Sequence, residues 1–342
     1  LHITGGASLV RLATEEDAAD WNRFVETRPD STFFHRFEWG RVIEGAYGHQ
    51  PLFLMARTPA GEIGGVLPLI HVKSPLFGSA LISTAFTVGG GVLAADDVSA
   101  QALLAQAATL GESHGVDYVE LRGGAGGDDW HCKDGTYAGF VAPLVADADA
   151  ALSAVPRKKR ADVRKAIRAA EAGDLTLDRS GDIDRFYALY AESVRNLGTP
   201  VLSKRLIREQ MEAFGPAIDI AIVKAAGTPV AGLLSFRHHG RMMPYYGGAS
   251  PAARRLHAYD YLYWAQMRFA VEEGCTEFDF GRSKTGTGAY DYKRHWGFAP
   301  EPLAYHYHLV RATAVPDINP NNPKFRLMTK VWQRLPLAIA NR

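Results

Sequence analysis

Residues Tyr259–Gly281 read YDYLYWAQMRFAVEEGCTEFDFG, and this stretch decides the fold. Its first part, Tyr259 to Glu273, places apolar residues at helical spacing and stops at Gly274, a residue that readily closes a helix. Its last part, Glu277 to Gly281, has the character of a strand. The same succession occurs earlier, as Ser99 to His114, Gly115 and Tyr118 to Arg122. The segments on the amino-terminal side of each also correspond. Glu15 to Glu26, behind a Thr14 cap, and the aromatic Phe33 to Ala46 read as helices ahead of a hairpin, Pro51 to Arg57 and Gly64 to Val72. Asp182 to Asn196 and Ser203 to Phe214 read as helices ahead of strands Ile218 to Lys224, Val230 to His238 and Met242 to Gly247. Helix, helix, hairpin, helix, strand therefore occurs twice. The economical reading is an α/β (α+β) chain of two similar modules, each a mixed sheet flanked by helices. Their expected bounds are 1–152 and 153–314, with a tail at 315–342.

Composition narrows the class. Of 342 residues, 47% are hydrophobic and 22% charged, enough apolar surface to build packed cores and exclude a disordered chain. Thirty-eight basic against 37 acidic side chains give a net charge of +1, so no global field attracts nucleic acid or anionic lipid. Cys132 and Cys275 are too few for a disulfide framework or a four-thiolate zinc site. No apolar run reaches the roughly 20 residues that span a bilayer, and Leu1 to Gly6 lack the basic start and apolar centre of a secretory signal. The expectation is a cytoplasmic protein, working there or at the inner face of the membrane.

Two local features carry charge. Arg157, Lys158, Lys159, Arg160, Arg164, Lys165 and Arg168 lie on one helical stretch broken by a single acid, Asp162. Such a run is either a solvated linker helix or a platform for the phosphates of a nucleotide-linked or RNA-linked substrate, with Arg160 and Arg164 as its contacts. The second feature is Gly281–Gly288, where Gly281, Gly286 and Gly288 permit close backbone approach to a ligand while Arg282, Lys284, Lys293 and Arg294 surround it with positive charge. The loop ends in neither Gly-Lys-Ser/Thr nor Gly-x-Gly-x-x-Gly, so it is neither a Walker loop nor a dinucleotide fingerprint. His306 and His308 alternate on a strand without a third residue at metal spacing, and no metal site is expected.

Tyr290-Asp291-Tyr292-Lys293-Arg294-His295-Trp296 resembles the aromatic-x-Lys-x-x-aromatic signature of the Fem family of non-ribosomal peptidyltransferases and related GNAT-type acyltransferases. Ala166 to Gly173 behind the basic run, Tyr261-Leu262-Tyr263-Trp264 and the tail Val315 to Phe325 resemble the Fem-related branch found with exopolysaccharide and PEP-CTERM sorting loci. The resemblance covers nearly the whole chain. It implies two tandem GNAT-like modules, the first on the acceptor side and the second on the acyl-transfer side. It also implies transfer of an aminoacyl or peptidyl group to an amine of a cell-envelope or exopolysaccharide precursor that is nucleotide- or lipid-linked. No resident cofactor is implied, the donor being aminoacyl-tRNA or acyl-CoA. The long helical arm of some Fem proteins has no counterpart between Ala170 and Thr313, so tRNA contact through such an arm is not expected.

Carried over by residue, the motif lysine is Lys293, which would stabilise the oxyanion of the transfer step. One such donor is commonly worth about 3–4 kcal/mol. Its structural alternative is a lysine that anchors the loop through carbonyls or a carboxylate. The base that frees the amine is open among His295, Asp291, Asp260 and Glu277. His295 shares a cleft with Lys293 if the segment is a strand and does not if it is a helix. Arg282, Lys284, Gly286, Gly288, Tyr292 and Arg294 are the expected substrate contacts of the loop. Tyr246 and Trp39 are the aromatic surfaces for a sugar or peptide stem, and packing is the competing role for both. The tail Phe325 to Ala340 suits either a membrane-surface helix or a packed one.

Two alternatives stay open. One is an acyl-CoA-dependent N-acyltransferase on the same fold, whose pyrophosphate turn, Gln/Arg-x-x-Gly-x-Gly/Ala, corresponds here to Arg254-Arg255-Leu256-His257-Ala258-Tyr259. That segment lacks both glycines, which leaves Arg254 and Arg255 to hold phosphate through side chains. The other is a non-catalytic binding module of a polysaccharide-synthesis complex.

Overall fold

Each half of the chain contains the repeated helix, glycine and strand, and in each the helix joins two parallel neighbours. The computed structural model describes residues 9–74 and 78–316. In chain order the first unit comprises β1 (Leu9–Leu12), α1 (Ala18–Thr27), α2 (Trp39–Tyr47), β2 (Gln50–Arg57), β3 (Ile63–Ser74), β4 (Gly78–Ser83), β5 (Leu93–Ala94), α3 (Asp97–Ser113), β6 (Tyr118–Arg122) and β7 (His131–Gly139). The second comprises β8 (Val141–Pro143), α4 (Ala148–Ala154), α5 (Arg157–Glu171), β9 (Leu175–Asp178), α6 (Ile183–Asn196), α7 (Lys204–Phe214), β10 (Ile218–Ala225), β11 (Thr228–His238), β12 (Arg241–Ala249), α8 (Pro251–Arg255), α9 (Ala258–Glu272), β13 (Glu277–Asp279), β14 (Ser283–Lys284) and α10 (Gly288–His295). The last strand, β15 (Glu301–Leu309), returns to the first unit.

In the first unit the strand order is β1-β2-β3-β4-β6-β15-β7, with β5 on β3. The pairs are antiparallel from β1 to β4 and between β6 and β15, whereas β4 and β6 are parallel and are connected through α3. Asp96 starts that helix by accepting the Ser99 N–H at 2.7 Å, the bond expected of an N-cap. Its Leu103, Leu104, Ala107 and Leu110 form one stripe packed on Leu67, Leu69, Leu81, Val119 and Leu121.

The second unit repeats the plan in the order β8-β13-β12-β11-β10-β9, with β12 and β13 parallel and α9 between them. Val163 of α5 joins Leu262, Tyr263 and Trp264 of α9 in the main core of this unit, with Ile167 and Ala170 packed against it. β12 also meets α6 at backbone distance. A Cβ on Gly248 would lie 2.4 Å from the Leu189 carbonyl oxygen and 2.6 Å from the Tyr190 Cα. Gly248→Ala is therefore expected to cost about 1–3 kcal/mol through overpacking, read as a lower urea midpoint.

Two expected boundaries change. The second unit begins near residue 138 instead of 153, because β8 pairs with β13 and so belongs to its sheet. The strand holding His306 and His308 belongs to the first unit, since Tyr305 to Leu309 pair with Arg122 to Tyr118. There Tyr305 and Tyr307 pack with Tyr118 and Ala80. Residues 325–340, assigned above to an amphipathic tail, lie outside the described residues, as does most of 315–325. Among the described residues no helix is long and apolar enough to cross a membrane.

Candidate functional site

The glycine-rich segment after β13 leads into a helix. Thr287 caps α10 by accepting the Tyr290 N–H at 3.4 Å, and Gly297 closes it with φ 93°. Within α10, Lys293 turns inward while Asp291, Arg294 and His295 are exposed. Two residues apart on a helix are roughly 200° apart around its axis. His295 therefore does not share a cleft with Lys293, and the expectation that His295 and Asp291 handle the proton beside it is corrected. Asp291 instead lies 3.9 Å from Arg294, an exposed pair.

Lys293 is 8% exposed and donates to the carbonyl oxygens of Gly281 at 3.0 Å and Arg282 at 3.1 Å. Its ammonium also lies 5.4 Å from the centre of the Phe140 ring. Burial lowers its pKa to about 8, the charge of Asp279 opposing the shift. The lysine expected to face a reacting acyl group thus holds the turn that starts the loop, and Gly281 has the positive φ of 69° that this turn requires. Arg282 and Lys284 are half-buried, whereas Gly286 and Gly288 are exposed.

Charged side chains converge elsewhere in the same unit. A cleft of about 680 Å³ opens where β12 ends and α9 begins, and its walls include Lys159, Asp162, Ser250, Arg254, His257, Tyr259, Asp260 and Tyr292. The carboxyl end of a parallel strand is the usual place for a ligand in such an architecture, because the connection to the next helix leaves a crevice there. β12 and β13 are paired only at Arg241–Glu277 and Met242–Phe278, so the remainder of β12 runs on without that partner.

The floor of the cleft is an ion pair. Lys159 and Asp260 are 9% and 8% exposed, and the Lys159 Nζ donates to Asp260 Oδ1. Tyr292 Oη donates to the same oxygen at 2.9 Å, while its ring and that of Trp296 lie 4.2 and 5.3 Å from the ammonium. Burial, and next the negative charge of Asp260, holds the Tyr292 pKa well above its ordinary value, so it remains a hydroxyl donor. Above this floor His257 Nδ1 lies 3.6 Å from Asp260 Oδ2 and 3.8 Å from Asp162 Oδ1. These three side chains are close enough to share a cation. Within the cluster the Lys159 ammonium already supplies positive charge to Asp260. Ser250 Oγ is buried without a hydrogen-bond partner among the described residues, so the cleft offers a ligand an unused hydroxyl.

Other expected contacts lie apart from this cleft. Trp39 is 1% exposed in the first unit and donates its indole N–H to the Phe33 carbonyl, and Phe34 and His35 beside it are equally enclosed. Tyr246 is 6% exposed and receives a bond from Gln210 at 3.2 Å. Both are core residues, as their competing reading held, because their aromatic surface is already spent on packing. Arg160 is half-buried and binds the Val155 carbonyl, Arg164 is exposed, and Glu277 pairs with Arg241 at 2.7 Å. Sequence reasoning missed Lys159 as an inward residue and His257 altogether. Lys159 shares a helix face with Val163 and Ala166, a spacing visible in the sequence. His257 has the left-handed φ of 52°, so it occupies one of the backbone conformations for which glycine was sought in that turn.

Residues 157–294 match the model of the acetyltransferase (GNAT) domain, a span that contains all the cleft residues named here. No curated protein sequence matches the chain. The crystal structure of FemX is similar at TM-score 0.68 and 14% identity, over 94% of this chain and 100% of that one. L-PGS from Bacillus licheniformis is similar at TM-score 0.55 and 13% identity, over 95% and 100%. A tandem GNAT protein from the clavulanic acid biosynthesis pathway is similar at TM-score 0.54 and 12% identity, over 91% and 99%. The fold is GNAT-like, as in FemX and the tandem GNAT protein, and the acetyltransferase (GNAT) domain match over residues 157–294 supports an acyltransferase.

Proposed function

We propose that this acyltransferase moves an activated aminoacyl group to an amine of a cell-envelope or exopolysaccharide precursor, at the cytoplasmic face of the membrane, in the manner of the Fem-related branch that its sequence resembles. The observation that carries the reading is the 680 Å³ cleft at the end of β12, where the described residues of the second unit gather cations, carboxylates, tyrosine hydroxyls and a serine hydroxyl without a partner around a single space. Arg254 is the guanidinium available there to a donor phosphate, and the buried Lys159–Asp260 pair fixes the wall against which the acyl group lies. Lys293 acts as a positioning residue. Two of the three donors of its ammonium hold the Gly281–Arg282 turn, which fixes the start of the loop that leads to Tyr292.

The second reading, transfer from acyl-CoA, is favoured by the acetyltransferase domain match. Radiolabelled aminoacyl-tRNA and acyl-CoA offered with muropeptide and amino-sugar acceptors separate the two. Saturable transfer from aminoacyl-tRNA is the expected result. Transfer from CoA alone removes the aminoacyl reading, and no transfer from either donor removes both.

A further inference from the structure

We infer that His257 is the base that accepts the proton of the attacking amine, held in register by Asp260 and Asp162; the inference rests on the transfer reaction proposed above. His257 is the only histidine among the described residues that line the cleft. Its Nδ1 stands between two carboxylates on different helices, 3.6 Å from Asp260 Oδ2 and 3.8 Å from Asp162 Oδ1. Carboxylates at these ion-pair distances attract a hydrogen on Nδ1, and a ring that carries its hydrogen there has its lone pair on Nε2. Asp260 cannot itself be the base, because its other oxygen already accepts from Lys159 and Tyr292. Its fixed position is what makes it a reference point for the imidazole. The charged and titratable groups facing His257 are Asp162 and Lys159 from α5, Arg254 from α8, Tyr259 and Asp260 from α9, and Tyr292 from α10.

The backbone supports the assignment independently. At φ 52° His257 is one of five non-glycine residues with left-handed backbone in the described chain, and strain of this kind concentrates where a side chain must be presented at a functional site. It also sits at the N-cap of α9 without making a cap bond, so its side chain has no structural duty at the helix end.

In the reaction the amine nitrogen forms a bond to the acyl carbon as one of its protons passes to His257 Nε2. The bond from that carbon to the donor oxygen or sulfur then breaks, its electron pair leaving with the donor. His257 returns the proton to that leaving atom, so the ring ends as it began. Asp260 and Asp162 face the imidazolium while it exists.

The test uses the full chain. His257→Asn keeps a residue that tolerates the left-handed backbone, and Asp162→Asn removes one orienting charge. For His257→Asn the expected result is a drop in kcat/KM of about 100-fold at neutral pH with an unchanged thermal midpoint. Asp162→Asn is expected to lower kcat/KM about tenfold, and the double variant to be no worse than His257→Asn alone, as for residues that act as a unit. Independently of turnover, nitrogen-15 NMR of the resting protein is expected to show His257 with its hydrogen on Nδ1. Wild-type kcat/KM in His257→Asn, or a hydrogen on Nε2 in the resting ring, overturns the inference. A wild-type chain that transfers from no donor overturns the reaction it rests on, and the tautomer still decides the orientation.

Discussion

Asp260→Ala is expected to destabilise the second unit by about 3–5 kcal/mol, the cost of removing one partner from a buried ion pair and leaving the other charge enclosed. Lys159 is 9% exposed and its ammonium faces two aromatic rings, neither of which replaces a carboxylate. Tyr292 loses its acceptor in the same step. Asp260→Asn, which keeps an oxygen for Tyr292 but not the charge, is expected to fall between the wild type and the alanine variant. Replacing both partners, as Lys159→Met with Asp260→Leu, should recover most of the loss, because an apolar pair of similar volume has no desolvation cost. Activity should not return with stability, since the reference point for His257 is gone. Urea titrations of the four proteins measure the first claim and transfer assays the second. A single variant as stable as the wild type would show that Lys159 finds water or another partner.

Lys293→Met is the second large effect. It removes the donor to the Gly281 and Arg282 carbonyls, and an unmet buried acceptor costs about 1–3 kcal/mol, partly offset because a charge no longer has to be buried. The loop that follows loses its anchor, and displacement of a substrate contact by about 1 Å is enough to lower turnover roughly 100-fold. A pH signature separates this lysine from the rest. Its folded pKa of about 8 lies below the ordinary 10.5, so between these values the unfolded chain holds more protons than the folded one. Wild-type stability should therefore gain, relative to the Met variant, as pH rises from about 8 to about 10.5, and the gain should be absent below that window. Full kcat/KM in a folded Lys293→Met protein would end any role for this side chain in transfer.

The duplicated architecture was legible because its signals are local and strong. α3 and α9 are long, end at glycine, and precede short strands, and no tertiary contact is needed to read them. The unit boundary was not, because β8 and β15 are assigned by which strand they pair with, and pairing partners are distant in sequence. α10 was ambiguous for a different reason. Lys293 and His295 two apart share a face only on a strand, whereas Thr287 as a cap and Gly297 as a stop bracket a short helix, and the caps prevail. The site was the least legible part. The Lys159–Asp260 pair joins positions 101 residues apart, and a uniform run of basic residues hides which of them turns inward. His257 carries no motif at all, and its interest comes from the two carboxylates that the fold places beside it.

Acyl transfer is expected to take place in the cleft at the end of β12. A crystal structure of the full chain with a non-reactive donor analogue, an aminoacyl-adenosine amide or a CoA thioether, tests this most directly. The expected density places the acyl group between Tyr292 and His257, with the donor phosphate or ribose toward Arg254 and Ser250. An analogue seated instead on the solvent face of α10, against Asp291 and His295, would contradict it.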